Sequence, residues 1–534
     1  MKTAIDLYSG IGGWTLGAKL AGTKIVASYE WWSEANNTHN QNFSTHNENI
    51  DIRKMSFDDV PKPGTIDFVL GSPPCTQFSF ANRGGNGDIA DGLKDIAKYL
   101  EVVRHLKPKY WAMENVPRVA TVLKKELAEG GQLEEFSDLF SEIMIVDMSE
   151  YGLPQARKRM IAGHFPGDLL REYSKNTPKR NLGDVLKALN NDPVIDPIYG
   201  ITIPKSDLTD NAHEDVLDSE EARMNREAKT FHPVYNRMSF PDSLNRPSRT
   251  VTALCTRVSR ESIVVESDET DKFRRLTARE RGVLQAFPIT YQFYGNSYPS
   301  KLKMIGNAFP PLMSYYVVSA MNEIAPNNIE TPDQAAYRHS LPDSLPKPVT
   351  LNSSKKSYSQ NRAFKAAIKG LRFGSGVRFE LSNNSVPKTV KWMVRFFYGS
   401  SKQIKELMLT EDLYSSALNI LGKKDAVQVE LILENELGNF KTMDGGNLQS
   451  IWRHLKSGVT PFDVADQIGK AASQIQELFS QSQQAKVIEQ YVSSTFTNKN
   501  NEKANSIKKL ENNSLAIYSG IITGSWINAN CKNL

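Results

Sequence analysis

Cysteine is nearly missing from this chain. Cys75, Cys255 and Cys531 are the only three in 534 residues. They are too few and too scattered for a disulfide framework or a zinc site, which points to a reducing compartment. Long apolar runs are missing too: none approaches a membrane span, and "MKTAIDLYSGIGG" reaches glycine too early to form a signal-peptide core. The expected location is therefore the cytoplasm, with no membrane contact. Net charge is small, +5 at neutral pH, yet it is unevenly spread. After residue 340 there are 25 Lys and Arg against 16 Asp and Glu, so the tail is basic and the rest slightly acidic. A basic tail fits a polyanionic partner. Hydrophobic content of 40% and charged content of 23% are ordinary for a globular protein, and the length favours about two to four domains.

With so few thiols, the surroundings of Cys75 stand out. "GSPPCTQFS" (71–79) sets two prolines directly before it. A structural cysteine needs no such stiffening. Pro73 and Pro74 fix two φ angles, and rigid placement lowers the entropy cost of bringing a thiolate to its target.

The first 165 residues alternate short β-rich runs with helical patterns. Strands are predicted at 3–7, 24–30, 66–70, 109–113, 142–148 and 159–165, and helices notably at 92–106 and 118–129. Such alternation predicts an α/β fold with a mostly parallel sheet covered on both faces, whose ligands sit outside the carboxyl ends of the strands. The unusual motifs lie next to predicted strands. "DLYSGIGGW" (6–14) supplies glycines for a tight turn into a helix, whether or not a ligand sits there. A pyrophosphate-binding G-x-G-x-x-G would need a third glycine where Thr15 stands. The second strand ends at Glu30, followed by Trp31, an acid suited to a ribose hydroxyl pair beside an indole suited to adenine. A nucleoside-bearing cofactor without a pyrophosphate follows. "MENVPRV" offers Glu114, a general acid if burial raises its pKa, or else a helix cap. "QARKR" offers Arg157 and Arg159, which on a strand would share one face.

In this order the motifs resemble the cytosine-C5 DNA methyltransferase family of the restriction–modification type. The likeness covers about residues 1–325. It rests on "DLYSGIGG", "YEWW", "GSPPCTQFS", "ENV", "QARKR", "RLTARERGVLQAFP" (275–288) and "GNAFPP" (306–311). Ala286 stands where the family usually has glycine, and Phe309 where it usually has valine. The resemblance implies a Rossmann-like sheet that binds S-adenosylmethionine, with no metal. Its catalytic residues would be Cys75, Glu114, Arg157 and Arg159. Tyr8, Ile11, Gly13, Glu30, Trp31, Asp51, Ile52 and Asn307 would line the cofactor site. The implied substrate is a cytosine flipped out of double-stranded DNA. Cytosine in tRNA is the alternative substrate, and a DNA-binding regulator acting through the tail is the alternative class. A monomer is expected, with a restriction endonuclease acting on the same site as a candidate partner.

The resemblance also divides the chain. Residues 1–165 with 300–328 would form a discontinuous catalytic domain, and 166–299 a small target-recognition region. There "RPSRTVTALCTRVSR" (246–260) offers Arg246, Arg249, Arg257 and Arg260 for phosphates, and Cys255 is read as structural. Beyond the resemblance, 329–361 reads as a linker, 362–496 as a mainly helical C-terminal domain and 497–534 as a polar tail. Ala465 and Gly469, followed by Ile475 and Leu478, suggest a helix-turn-helix at 460–479 or an ordinary helical hairpin.

Overall fold

A computed structural model describes residues 1–78, 88–230, 238–352, 358–373, 376–386, 389–400, 403–497 and 510–534. Ser79, the last residue of the Cys75 motif, lies outside them. The chain divides into two compact units, Met1–Ala228 with Ser239–Ser354, and Lys229–Met238 with Lys355–Leu534. Among the described residues no helix is long and apolar enough to cross a membrane.

The first unit is built on six strands: β1 (Thr3–Leu7), β2 (Lys24–Tyr29), β3 (Phe68–Gly71), β4 (Tyr110–Asn115), β5 (Glu142–Asp147) and β6 (Lys158–His164), in the order β2-β1-β3-β4-β6-β5. β1 to β4 are parallel, and β6 runs antiparallel to both β4 and β5. Helices α1 (Gly13–Leu20), α2 (Ser33–Phe43), α3 (Ile89–Leu106) and α4 (Arg118–Glu126) follow the four parallel strands. β1 and β3 are almost wholly buried, and apart from Thr3 and Asp6 they are apolar or glycine, because both of their faces are covered.

Register decides where the chemistry collects. Leu7 pairs with Tyr29 and with Gly71, and Gly71 pairs with Met113. One residue further on, Tyr8, Glu30, Ser72 and Glu114 therefore form a row along the carboxyl edge. β6 enters from that edge, with Met160 opposite Asn115, so Arg159 lies at the same edge.

The return of the chain through "GNAFPP" closes this unit. The helix Pro311–Met321 packs on α1, and the Ser314 hydroxyl donates to the Trp14 carbonyl at 3.0 Å. Phe309 stacks on Trp14 with ring centroids 4.2 Å apart. A Cβ on Gly13 would lie 1.9 Å from the Phe309 carbonyl oxygen. Gly13→Ala should therefore cost about 3 kcal/mol or more, because the clash is with backbone rather than a movable side chain. A thermal melt of the variant, expected to fall by several degrees, checks this. Ala286 has φ 60, in the left-handed region. The family's glycine suits that turn, and alanine holds it under strain.

The expected linker begins with packed structure. Pro332–Ala335 is helical, and Arg338 donates to the Leu20 carbonyl at 3.0 Å.

The second unit carries a four-stranded antiparallel sheet, Lys365–Arg372, Arg378–Val386, Thr389–Ser400 and Gln403–Leu407, in sequence order. Helices pack on one face of it, and helix outweighs strand among the described residues, so the domain is mainly helical around a small sheet. Residues Pro461–Phe479 form one continuous helix, not a helix-turn-helix. Gly469 marks no turn: a Cβ there would lie 2.7 Å from the Lys369 carbonyl, so the glycine lets the helix lie close on the first strand of this sheet. The expected polar tail also differs. Ser514–Asn530 is a helix with Ile517, Ile521, Ile522 and Trp526 buried. Gly520 in it leaves room for the Phe379 ring.

Candidate active site

The turn after β1 holds Tyr8 at φ 57 and Gly10 and Gly12 at positive φ. Glu30 ties this turn to its own strand end. Its Oε2 accepts from the Gly10 amide at 2.8 Å, and its Oε1 from the Trp31 and Trp32 amides at 2.9 and 2.8 Å. Burial raises the Glu30 pKa, and these three backbone donors hold it back. Beside it the Trp31 side chain is 66% exposed. Underneath, Asp6 is fully buried, and burial lifts its pKa to about 7 against the two hydrogen bonds from Thr15. Thr15, the position where a dinucleotide motif would carry glycine, thus anchors the turn from below. Asp6 Oδ1 and the Ser9 hydroxyl are buried without a hydrogen-bond partner among the described residues.

Ile52 is buried in the short helical turn that Asp51 caps through the Arg53 amide at 3.2 Å. Arg53 runs from that turn to α3, with its Nε 2.8 Å from Asp95 Oδ1. Asp95 also accepts from the Tyr8 hydroxyl at 3.3 Å. Asp95 was not singled out from sequence. Its signal is positional: it is a carboxylate on the otherwise apolar stripe of Gly92, Ile96 and Tyr99. Ile11 is buried, and its carbonyl accepts from the Tyr291 hydroxyl. Asn307 is exposed at the end of the helix Tyr298–Asn307.

Cys75 sits in the loop after β3. Its carbonyl closes a turn with the Phe78 amide at 3.0 Å. Asn115, at the end of β4, donates to the Pro73 carbonyl at 3.0 Å and holds the proline pair. Trp14 Nε1 donates to the Ser72 hydroxyl at 3.0 Å. The loop is thus pinned from β4 and from α1. Glu114 is buried and pairs with Arg159, Nε to Oε1 3.0 Å. Burial raises the Cys75 pKa and the Glu114 charge adds to it, while Arg159 and Arg157 oppose both.

Arg157 does not share a strand face with Arg159. It precedes β6, is buried, and donates to the main-chain carbonyls of Val251, Gly306 and Ala308 at 3.1, 3.1 and 3.3 Å. Burial and then the Arg159 charge push its pKa down. It clasps the 251 segment and the returning chain behind the site. Gln155 and Gln285 extend that clasp, joined at 2.9 Å, with the Val251 amide donating to Gln155 at 2.7 Å.

Two of the arginines expected for phosphates are committed elsewhere. Arg249 binds Asp242 and the Arg260 and Ser262 carbonyls. Arg257 is buried on Glu221 and the Asp215 and Val216 carbonyls. Arg246 is exposed, and Arg260 is half-buried beside Glu261. Cys255 accepts from Arg275 at 2.9 Å and Arg281 at 3.3 Å. Burial would raise its pKa, but the two guanidinium groups outweigh that and lower it.

A family model described as C-5 cytosine-specific DNA methylase matches residues 2–323. The chain belongs to that family. Type II methyltransferase M.HindV of Haemophilus influenzae is 30% identical over 327 residues, which is 59% of this chain and 95% of that one. Type II methyltransferase M.HgiDI of Herpetosiphon aurantiacus is 28% identical over 327 residues, 60% of this chain and 94% of its own. The chain is thus a DNA cytosine-C5 methyltransferase, and the methylase match ends at residue 323, ahead of Lys355–Leu534, the larger segment of the second unit.

Proposed function

We propose that the protein methylates C5 of a cytosine flipped out of a specific duplex sequence, and that this protects DNA within a restriction–modification system. The observation that carries the reading is the pinned Cys75 loop set beside the buried Glu114–Arg159 pair. The Cys75 thiolate adds to C6 of the cytosine, and Glu114 holds the proton gained at N3. The electron pair displaced from the C5–C6 bond makes C5 nucleophilic. S-adenosylmethionine, when bound, supplies the electrophilic methyl group. The C5 proton then passes to a base, and elimination breaks the Cys75–C6 bond to regenerate the thiolate. Arg159 steadies Glu114 and partly offsets its repulsion of the thiolate. Arg157 acts as a positioning residue behind them.

Glu30, Trp31, Tyr8, Ile11, Gly13, Asp51, Ile52 and Asn307 are proposed to hold the cofactor. The buried, unpartnered Ser9 hydroxyl and the open space over Gly10 fit a ligand here. Glu30→Ala should weaken S-adenosylmethionine binding by about tenfold or more, through a lost charge-assisted hydrogen bond and a loosened turn. Glu30→Gln, which keeps one acceptor oxygen, should lose less. Isothermal titration reads both, and unchanged affinity in the alanine variant would remove Glu30 from the site.

Target recognition is assigned to the region within 166–299, with the exposed Arg246 as a phosphate candidate. The test of function is bisulfite sequencing of DNA from cells expressing the protein, beside methyl transfer to duplex DNA and to tRNA in vitro. One methylated sequence context in DNA supports the reading. Transfer to tRNA alone overturns it.

A further inference from the structure

The basic charge of the tail is not spread along it. Residues 355–405 contain 12 Lys and Arg and a single acid, Glu380, whereas residues 406–534 contain 12 Lys and Arg against 14 Asp and Glu. The excess therefore belongs to the segment that builds the four-stranded sheet.

Side chains alternate between the two faces of that sheet. Ala366, Ile368, Phe379, Leu381, Trp392, Val394 and Phe396 are buried on the inner face. The helices Pro461–Phe479 and Ser514–Asn530 cover it, their glycines lying against Lys369, Phe379 and Val394. The outer face carries Lys365, Arg378, Lys391 and Arg395, with Lys369 in the irregular stretch of the edge strand between Ala367 and Arg372, and the three lysines are exposed. Arg378 pairs with Phe397 across the strands, and the Arg378 and Arg395 guanidinium groups lie 4.8 and 5.0 Å from the Phe397 ring centre. Their carboxylate partners are Glu380, 3.0 Å from Arg378 Nε, and Glu406, 2.7 Å from Arg395 Nε. Both acids are thus engaged by arginines, leaving the lysines to set the charge of the face.

We propose that this outer sheet face binds the phosphate backbone of double-stranded DNA, as a second DNA contact separate from the Cys75 site. Closely spaced cations without a pocket suit a repeating polyanion, and counterion release drives such binding. Duplex rather than single-stranded nucleic acid is favoured because Phe397, an aromatic ring of that face, already has the Arg378 and Arg395 guanidinium groups over it. Single strands are held mainly by bases stacked on open rings. The choice of DNA rests on the chain's membership of the DNA methylase family, but no residue of the methyl-transfer site enters the argument. Joined on one chain, the two contacts would keep the enzyme on DNA between turnovers.

The test uses the full-length chain with Lys365→Glu, Lys369→Glu and Lys391→Glu combined. A control combines Lys423→Glu, Lys424→Glu and Lys486→Glu, three exposed lysines of the helical part. Fluorescence anisotropy with a labelled random-sequence duplex, over a salt series, reads affinity. The sheet variant should bind about tenfold or more weakly, with a salt slope smaller by about 3, while the control stays near the native protein. Glutamine at the same three sheet positions should lose part of the affinity with an unchanged thermal melt, which separates charge from folding. Native affinity and slope in both sheet variants overturn the proposal. So does a loss seen only with a single-stranded or RNA probe. Methylation of a short target duplex at saturating concentration, measured in parallel, reports on the Cys75 site alone, so failure of either reading is distinguishable from failure of the other.

Discussion

Cys75→Ser should lower methylation by at least about a thousandfold while leaving S-adenosylmethionine affinity nearly unchanged. A serine hydroxyl fills similar space but is a far weaker nucleophile, and a thousandfold corresponds to about 4 kcal/mol in the barrier. The loop is held through Pro73, Ser72 and the Phe78 amide rather than through the sulfur, so its position should survive the change. Steady-state kinetics with titration calorimetry checks both halves. Near-native activity would rule out Cys75 as the nucleophile.

Glu114→Gln separates electrostatics from catalysis. Methylation should fall by about a hundredfold or more, because the amide cannot manage the N3 proton. The Cys75 thiol should nevertheless become easier to ionise. Glu114 is the charge that raises its pKa after burial, and without it Arg159 and Arg157 pull the other way. In the native enzyme the thiolate fraction grows as pH rises toward its raised pKa, so kcat/KM should climb from neutral into alkaline pH. In the variant, alkylation of Cys75 by iodoacetamide at neutral pH should be faster than in the native protein. Peptide mass spectrometry separates this from Cys255, whose own pKa is lowered by Arg281 and Arg275. Slower alkylation of Cys75 in the variant would contradict the proposed charge balance.

How legible the molecule is from sequence depends on the element. β1 to β6 lie within one or two residues of the predicted strands, because each is a short β-rich run bounded by turn residues. The grouping of Cys75 with Glu114 followed from both standing at strand ends. The role of Arg157 did not, since two residues of spacing mean a shared face only inside a strand, and Arg157 stands just before one. Arg249 and Arg257 looked available because the acids that bind them, Asp242 and Glu221, both lie outside the arginine-bearing segment 246–260. In the second unit small residues misled. Ala465 and Gly469 suggested a turn between helices, yet they are the narrow side of one helix lying on a strand. Ser514–Asn530 read as polar because serine, threonine and glycine let it sit deep in the core.

The most direct test of the central claim is a duplex with 5-fluorocytosine at the target position, incubated with the enzyme and S-adenosylmethionine. Fluorine cannot leave C5 as a cation, so elimination is blocked after Cys75 has added to C6. A denaturant-stable one-to-one protein–DNA adduct mapping to the Cys75 peptide, and missing in Cys75→Ser, is the predicted result. Turnover on ordinary DNA with no such adduct on the fluorinated duplex would contradict the covalent mechanism.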